Sequence, residues 1–217
     1  MKRFFIIDKY NTAYDWGLTL TAKETPPPEV KTNYVSLDGM HGTLDLTEAL
    51  TGEPTYNDRT VAASFMCSEG TFYDRVHLVQ DIIAALHGKK VQIVEPDDPE
   101  HYFVGRVHVT PVLGTHAYTE LEMEAICEPW RYAMNETERE VNVTGSRVDV
   151  VLNNTGVRTL SPTVAVTGTV TISFDGFSQE LTAGVYKITD LRLRPGDNVI
   201  GVTGRGTVTF TYREATL

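Results

Sequence analysis

One stretch of the chain has the hydrophobic spacing of an amphipathic helix. Between Thr71 and His87 the apolar residues recur about every 3.6 residues, and the resulting stripe consists of Phe72, Val76, Val79, Ile82, Ile83 and Leu86. Thr71 and Asp74 have the spacing of a capping box, with Asp in place of the usual Glu, and Gly88 can end the helix. The pattern predicts one helix over 71–87 that packs its stripe on a sheet.

Most of the remaining chain has the two-residue alternation of β-strands. Up to residue 134 the predicted strands are Phe4–Asp8, Trp16–Ala22, Thr60–Cys67, Val91–Val94, Tyr102–Thr110 and Ala117–Cys127. The segment Glu29–Leu37 is predicted to be extended. The last strand has carboxylates on one side and apolar residues on the other. We therefore expect it to be half-buried, with one face in water.

The character of the sequence changes near residue 134, where we predict a domain boundary. Residues 135–140 are charged and lack periodicity, and only short strand patterns follow them. These predicted strands are Val148–Leu152, Thr163–Phe174, Phe177–Leu181, Val185–Leu193, Asn198–Val202 and Thr207–Arg213, with a hairpin signal at Asp175-Gly176. The expected fold is mainly β with one packed α-helix, an α+β domain over 1–134 and a C-terminal β-sandwich of jelly-roll type over 135–217.

Charge and cysteine content exclude several classes of protein. The net charge is −10, and residues 1–134 carry 11 basic and 20 acidic side chains, so they hold about −9 of it. With no basic stripe, specific nucleic-acid binding is not expected. Cys67 and Cys127 lie in apolar runs and are expected to be buried thiols, and no Cys/His spacing indicates zinc or another cofactor. No apolar run reaches the ~20 residues of a membrane span, and the N-terminus lacks a signal-peptide pattern, so no membrane insertion is expected.

Three polar groups could carry chemistry, but each pattern favours a structural interpretation. The acidic turn Glu95–Glu100, with His101, lacks the spacing of a calcium loop and is expected to be rigid and solvated. Asp38, His41 and Asp45 have no accompanying nucleophile. The row Glu120–Glu124 alternates along one strand, so we expect it to meet water or a partner instead of forming a glycosidase pair. The sequence therefore predicts no catalytic residue, no metal site and no enzyme.

The order of several short motifs resembles the distal tail protein (Dit) family of phages with long non-contractile tails. In chain order these motifs are Val35–Thr47, Tyr56–Arg59, Leu86–Gly88, Pro99–Arg106, Cys127–Tyr132, Leu193–Ile200, Gly204–Gly206 and Thr209–Arg213. His41 departs from the family, which often has Arg or Lys there. The motifs supply candidates for a ring interface or arm, namely Leu37, Asp38, Gly39, Met40, His41, Gly42, Tyr56 and Arg59. They also supply structural signature residues, namely Asp45, Gly88, Pro99, Tyr102, Gly105, Arg106, Pro129, Gly196 and Asn198.

The resemblance implies a structural role in the virion, at the tip of a phage tail assembled in the host cytoplasm. Members of the family form a homo-hexameric ring between the tail tube protein and the tail-associated hub or lysin protein. Their galectin-like C-terminal sandwich points outward and can hold a receptor-binding protein. We expect the segment Thr25–Arg59 to reach a neighbouring subunit in such a ring. The alternative is a carbohydrate-binding adhesion module without catalysis, which predicts exposed aromatic platforms on the C-terminal sandwich.

Overall fold

A computed structural model describes residues 3–112 and 117–217 of the chain. As predicted, the described residues are mainly β-strand with one α-helix. They divide into two units, Met1–Arg131 together with Leu217, and Tyr132–Thr216, and each unit has its own apolar core. No helix within the described ranges is long and apolar enough to cross a membrane.

The first unit contains the helix and nine strands. The strands are β1 (Ile6–Ile7), β2 (Tyr10–Asn11), β3 (Thr19–Glu24), β4 (Tyr34–Val35), β5 (Leu44–Asp45), β6 (Arg59–Cys67), β7 (Lys90–Glu95), β8 (Asp98–Val112) and β9 (Thr119–Cys127). The helix α1 (Phe72–Leu86) lies between β6 and β7 in the chain, and β10 (Arg131–Ala133) begins at the last residue of the unit. Seven strands form an antiparallel path in the order β2-β1-β7-β8-β9-β6-β3, and β4 pairs with β5 in a separate two-stranded sheet.

Alternation along the central strands places one face of this sheet in the core. Every second residue of β6 and β9 is buried, from Val61 to Cys67 and from Leu121 to Cys127. The helix packs on that face through Ile82 and Leu86, which are fully buried. The predicted stripe is therefore correct in its C-terminal half. At the other end of the stripe Phe72 is exposed, because the first helical turn extends beyond the core.

The predicted capping box at the start of α1 is confirmed. The Thr71 hydroxyl accepts a hydrogen bond from the Asp74 backbone N–H at 3.3 Å, and the Asp74 carboxylate accepts from the Thr71 backbone N–H at 2.8 Å. These two bonds satisfy N–H groups that a helix otherwise leaves unpaired. The Asp74 carboxylate accepts hydrogen bonds from the Thr71 backbone N–H and from the Thr71 hydroxyl, both at 2.8 Å, and these two bonds lower the pKa of the Asp74 carboxyl. Gly88 follows the helix with φ +76°, the conformation predicted for it.

We expect Thr71→Ala to lower the free energy of unfolding by about 1 kcal/mol, the usual effect of removing an N-cap hydroxyl. The pKa of Asp74 is lowered in the folded state, so its contribution is present above pH ~4 and is lost as the pH falls through that lowered pKa. The difference between the variant and the wild type should therefore be larger at pH 7 than at pH 3. Urea unfolding at both pH values measures it, and Ser68→Ala just before the cap, at an exposed position, is the control.

Two of the predicted strands in the first unit begin three or more residues away from the observed start. The strand predicted at Trp16–Ala22 runs from Thr19 to Glu24, because Gly17 turns the chain with φ +63° and the Trp16 ring stacks on Tyr10 at 4.8 Å. The strand predicted at Tyr102–Thr110 runs from Asp98 to Val112. The acidic segment 95–100 is thus mostly strand, and only residues 96 and 97 separate β7 from β8.

The second unit is built around three long strands. They are β11 (Thr137–Asn154), β12 (Thr163–Phe174) and β15 (Gly196–Tyr212), accompanied by β13 (Phe177–Leu181), β14 (Gly184–Lys187) and the short β16 (Ala215–Thr216), which pairs with β10. The sheet order is β11-β15-β12-β13, and β14 also pairs with β12. The predicted β12 and β13 are confirmed to the residue, as is the turn between them, where Asp175 and Gly176 have φ of 48° and 80°.

Three predictions for the second unit are wrong. The strand predicted at Val148–Leu152 begins eleven residues earlier, because residues 137–140, which have no strand periodicity, pair with β15 as the beginning of β11. The strands predicted at Asn198–Val202 and Thr207–Arg213 are one continuous strand, β15. The strand predicted at Val185–Leu193 is limited to Gly184–Lys187. Glycine explains the second of these errors, because β15 pairs with β12 without a break through Gly204 and Gly206.

Glycines occupy the inward positions where the long strands bend. Gly168 of β12 pairs with Gly206 of β15, and Gly204 lies two residues before Gly206. All three have positive φ values, of +98°, +149° and +114° respectively. Inward residues on both sides of the bend, such as Ile200 and Phe210, belong to the same core cluster. The bent sheet therefore encloses one core.

Candidate functional site

The segment between β3 and β6 is a hairpin that we call the arm (residues 25–58). Tyr34 pairs with Asp45 and Val35 with Leu44, which forms the two-stranded sheet at its centre. Nearer the body of the unit, the Lys31 backbone N–H donates to the Thr55 carbonyl at 2.8 Å. Further backbone hydrogen bonds join residues 29 and 57, and 33 and 46, both at 2.8 Å. The arm is thus an ordered antiparallel finger.

The tip of the arm contains six of the residues predicted for a ring interface. Gly39 and Gly42 have φ of +83° and +82°, which explains why two glycines occur there. Leu37 and Met40 are exposed, and so are their polar neighbours in the tip, Asp38 and His41. The structure therefore brings these six residues together on one exposed turn.

Apolar side chains are exposed along the rest of the arm as well. Leu50 is 97% exposed, and the exposed large apolar residues of the arm are Val30, Tyr34, Leu37, Met40, Leu44 and Leu50. Single exposed apolar residues are normal on a protein surface. Six of them lie between residues 30 and 50, a concentration of exposed apolar side chains that is typical of a site of protein association. In the register of β4 and β5, Tyr34 lies opposite Asp45 and Leu44 lies opposite Val35, so Tyr34 and Leu44 are on opposite faces of the arm.

The other two predicted interface residues lie at the root of the arm. The Tyr56 ring packs edge-on against Trp130, with the ring centroids 5.5 Å apart. Arg59 is only 7% exposed, and it donates to the carbonyl oxygens of Pro26 and Pro129 at 2.6 and 3.4 Å. Both residues contact their own unit, so the structure separates them from the exposed tip.

The signature residues of the first unit have contacts that stabilise its fold. The Gly88 N–H donates to the Val107 carbonyl at 2.8 Å, and the Arg106 guanidinium donates to the Gly88 carbonyl. A Cβ on Gly105 would lie 2.3 Å from the Cys127 sulfur, so only glycine fits there. Hydrogen bonds from Thr47 lower the pKa of the Asp45 carboxyl. Of the remaining signature residues, Pro99 lies within β8, Tyr102 is buried, and the Pro129 carbonyl accepts a hydrogen bond from Arg59.

In the second unit the signature residues form a turn before β15. Gly196 begins the strand with φ +92°, and the Asn198 side chain is buried. The Asn198 amide donates to the carbonyls of Arg194 and Gly196 at 2.8 and 2.9 Å, and its oxygen accepts from the Arg194 N–H at 2.9 Å. These two residues therefore fix the turn that leads into the central strand.

The acidic turn is neutralised by cations of the chain itself. Lys23 approaches Asp97 at 2.8 Å and Glu95 at 3.5 Å. Hydrogen bonds from Lys23 and then Arg3 lower the pKa of Asp97. The predicted solvated turn is thus partly wrong, since Glu95 is buried and the turn is tied to the sheet by ion pairs. The described residues contain no group of His, Cys, Asp or Glu arranged to hold a metal ion.

The outer face of the first sheet carries the predicted row of carboxylates. Glu120, Glu122 and Glu124 are exposed and alternate with buried residues of β9, which confirms the predicted half-buried strand. The sheet register places Thr110 and Ser64 beside Glu122, and His108 and Ala62 beside Glu124. No lysine or arginine lies directly across from either residue, so this face is negatively charged and open to water or to a partner.

Both cysteines are free and buried, as predicted. Burial raises the pKa of Cys127 to about 12. The thiolate is the reactive form of cysteine, so Cys127 is almost entirely unreactive at neutral pH.

No family model matches the sequence, and no curated protein sequence matches it significantly. Among solved structures, the fold matches the crystal structure of the Dit protein (gp 19.1) of SPP1 with a TM-score of 0.71 and 16% sequence identity. The match covers 97% of this chain and 98% of the Dit chain. That Dit protein is described as a paradigm of the hub adsorption apparatus in phages that infect Gram-positive bacteria. The predicted resemblance is therefore confirmed in the fold: over nearly its whole length, this chain has the fold of a phage distal tail protein.

Proposed function

We propose that this chain is a structural protein of a phage tail tip. Its copies form a hexameric ring that joins the tail tube to the tail-associated hub protein, with residues 1–134 in the ring. Residues 135–217 form the β-sandwich domain that anchors receptor-binding parts. The observation that carries the proposal is the match to a hub adsorption protein over 97% of the chain, because the match includes both units.

The arm supports the ring in particular. Identical subunits close into a ring through head-to-tail contacts between two unlike surfaces. A finger that leaves the body of the unit and exposes six large apolar side chains supplies one such surface. Burying a Leu-sized side chain contributes about 1.5–3 kcal/mol when it is fully exposed beforehand, so partial burial of this set supplies several kcal/mol to each contact.

The carbohydrate-binding alternative has no comparable support in the structure. Its expected platform requires aromatic rings that lie open on the second unit. In the described residues 132–216, Phe210 and Tyr212 are buried, and the other four aromatic side chains are only partly exposed, namely Tyr132, Phe174, Phe177 and Tyr186. The exposed apolar residues of this unit are mostly valines, which offer no flat face to a sugar ring.

Native mass spectrometry of the purified chain tests the ring. One subunit has a mass of 24.1 kDa, so we expect a species of six times that mass, about 145 kDa, whose population grows with protein concentration. Negative-stain images of the same sample should show six-fold rings. A strict monomer at high concentration, with no ring formed on added tail tubes, would contradict the proposal. Binding on a glycan array in that case would favour the adhesion module.

A further inference from the structure

The two ends of the arm meet at one buried guanidinium. The arm leaves β3 after Glu24 and returns to β6 at Arg59, and these two strands are neighbours in the sheet. Arg59 Nη2 donates to the Pro26 carbonyl at 2.6 Å, 33 residues earlier in the chain. The side chain of the returning end therefore holds the backbone of the departing end.

The rest of the Arg59 side chain is held by the body of the unit. Its guanidinium carbon lies 4.9 Å from the centre of the Phe103 ring, a distance at which a cation and an aromatic ring attract each other. Nη1 donates to the Pro129 carbonyl at 3.4 Å. The adjacent residue Trp130 packs against Tyr56 on the arm. Arg59 thus connects the arm, the sheet and the segment after β9.

This arrangement has a cost, which argues for a specific role. Arg59 is 7% exposed, and its Nε atom has no hydrogen-bond partner among the described residues. A buried charge with an unpaired donor is unfavourable, and an apolar residue of the same length would fill the space at lower cost. The benefit of arginine here is its fork of donors, which can hold two carbonyl groups from separate segments at once.

A second contact holds the departing end of the arm. The Thr25 hydroxyl donates to the buried carboxylate of Glu95 at 2.5 Å, and Lys23 lies 3.5 Å from the same carboxylate. The three prolines that follow, at 26–28, restrict the backbone further. The arm therefore leaves the unit through a root that is fixed at consecutive residues, although most of the arm beyond the root is exposed to solvent.

We infer that Arg59 is a positioning residue that clamps both ends of the arm and sets the direction in which the free subunit presents the arm to its neighbour. An arm fixed in this way loses less conformational entropy on association than a flexible one. The consequence for assembly rests on the proposed ring, whereas the clamp itself is a property of the single subunit. The two are therefore measured separately.

Hydrogen–deuterium exchange of the full chain, at a concentration at which native mass spectrometry detects the monomer, tests the clamp. The probes are arm amides that donate to the opposite strand of the arm, those of Lys31, Leu46 and Asn57, compared with the amides of β6 and β9. We expect Arg59→Met to increase exchange in the arm at least tenfold and to leave the β6–β9 pair protected. The matched control is Arg106→Met, an exposed arginine of the same unit that does not contact the arm.

Arg59→Lys keeps the positive charge but loses the planar set of guanidinium donors that binds two carbonyl groups at once. We therefore expect it to increase exchange in the arm nearly as much as Arg59→Met does, while disturbing the core less. If Arg59→Met unfolds the unit, Arg59→Lys decides the outcome. Unchanged exchange in the arm of a folded Arg59 variant would overturn the clamp. A loosened arm in a chain whose wild type forms no ring would confirm the clamp and contradict the ring. A loosened arm together with weaker assembly would support both.

Discussion

Replacing Gly206 with alanine is expected to abolish the folded state of the second unit. Gly206 lies within β15 with φ +149°, and a Cβ built on it would be 1.7 Å from the Thr167 carbonyl oxygen of β12. That oxygen belongs to a paired strand, so it cannot move away without breaking the antiparallel ladder that joins β12 to β15. We expect a loss of 4 kcal/mol or more, on the order of the largest single-residue effects and close to the whole stability of many domains.

Exchange of backbone amides, followed for each unit separately, measures this loss. Protection in β12 and β15 should disappear in Gly206→Ala, while β6 and β9 of the first unit remain protected. Gly145→Ala is the matched control, because Gly145 also lies at a bend with φ +125° but has nothing within 4 Å of its Cβ position. The control should show only the cost of the backbone conformation, about 1–2 kcal/mol. Equal effects of the two substitutions would mean that the close approach of β12 is not the constraint.

The sequence predicted the parts of the fold whose signals are local, and it did not predict those that depend on a distant strand. The helix start and the hairpin between β12 and β13 were predicted correctly because their signals are local. Thr71 and Asp74 are three residues apart, and Asp175 and Gly176 are adjacent. Gly204-Arg205-Gly206 has the composition of a turn, and its actual role depends on β12, whose backbone reaches it from about forty residues earlier in the chain. A pattern along the chain does not contain that information.

Residues 137–140 show a second limit of the sequence. Because they are charged and lack periodicity, no strand was predicted there, yet Glu138 pairs with Thr211 and Glu140 with Thr209 in the ladder of β11 and β15. Strand pairing depends on backbone groups and on a distant partner, so an exposed segment can be charged and still be a strand.

The candidate site was predictable in part for the same reasons. Two glycines in the sequence Asp38–Gly42 indicate a turn, and the structure places the tip of the arm there. The contacts of Arg59, by contrast, join residues that lie 33 and 70 positions away in the chain. Its position directly before the apolar strand Thr60–Cys67 was a local sign that it could be buried, but nothing in the sequence identified its partners.

Removing the apolar side chains at the arm tip and next to it in β5 is expected to prevent ring formation while leaving the subunit folded. Leu37, Met40 and Leu44 are 51%, 41% and 43% exposed in the free chain. Burial of the exposed part of each side chain against a neighbour contributes about 1 kcal/mol. Substituting all three with threonine should therefore weaken each subunit contact on the order of 100-fold. Because a closed ring contains one such contact per subunit, the effect on the hexamer is larger than on any single contact.

The matched control carries three valine-to-threonine substitutions on the second unit, at Val151, Val185 and Val199, which are 50%, 73% and 54% exposed. It removes a comparable amount of exposed apolar surface from residues outside the domain that we propose forms the ring. At a concentration low enough to dissociate the ring, we expect both triple variants to keep the wild-type melting temperature, because none of the six side chains contributes to a core. Native mass should show hexamers for the control and monomers for the arm variant at the same concentration. Hexamers in both would show that the apolar tip is not what joins the subunits, even if the ring itself exists.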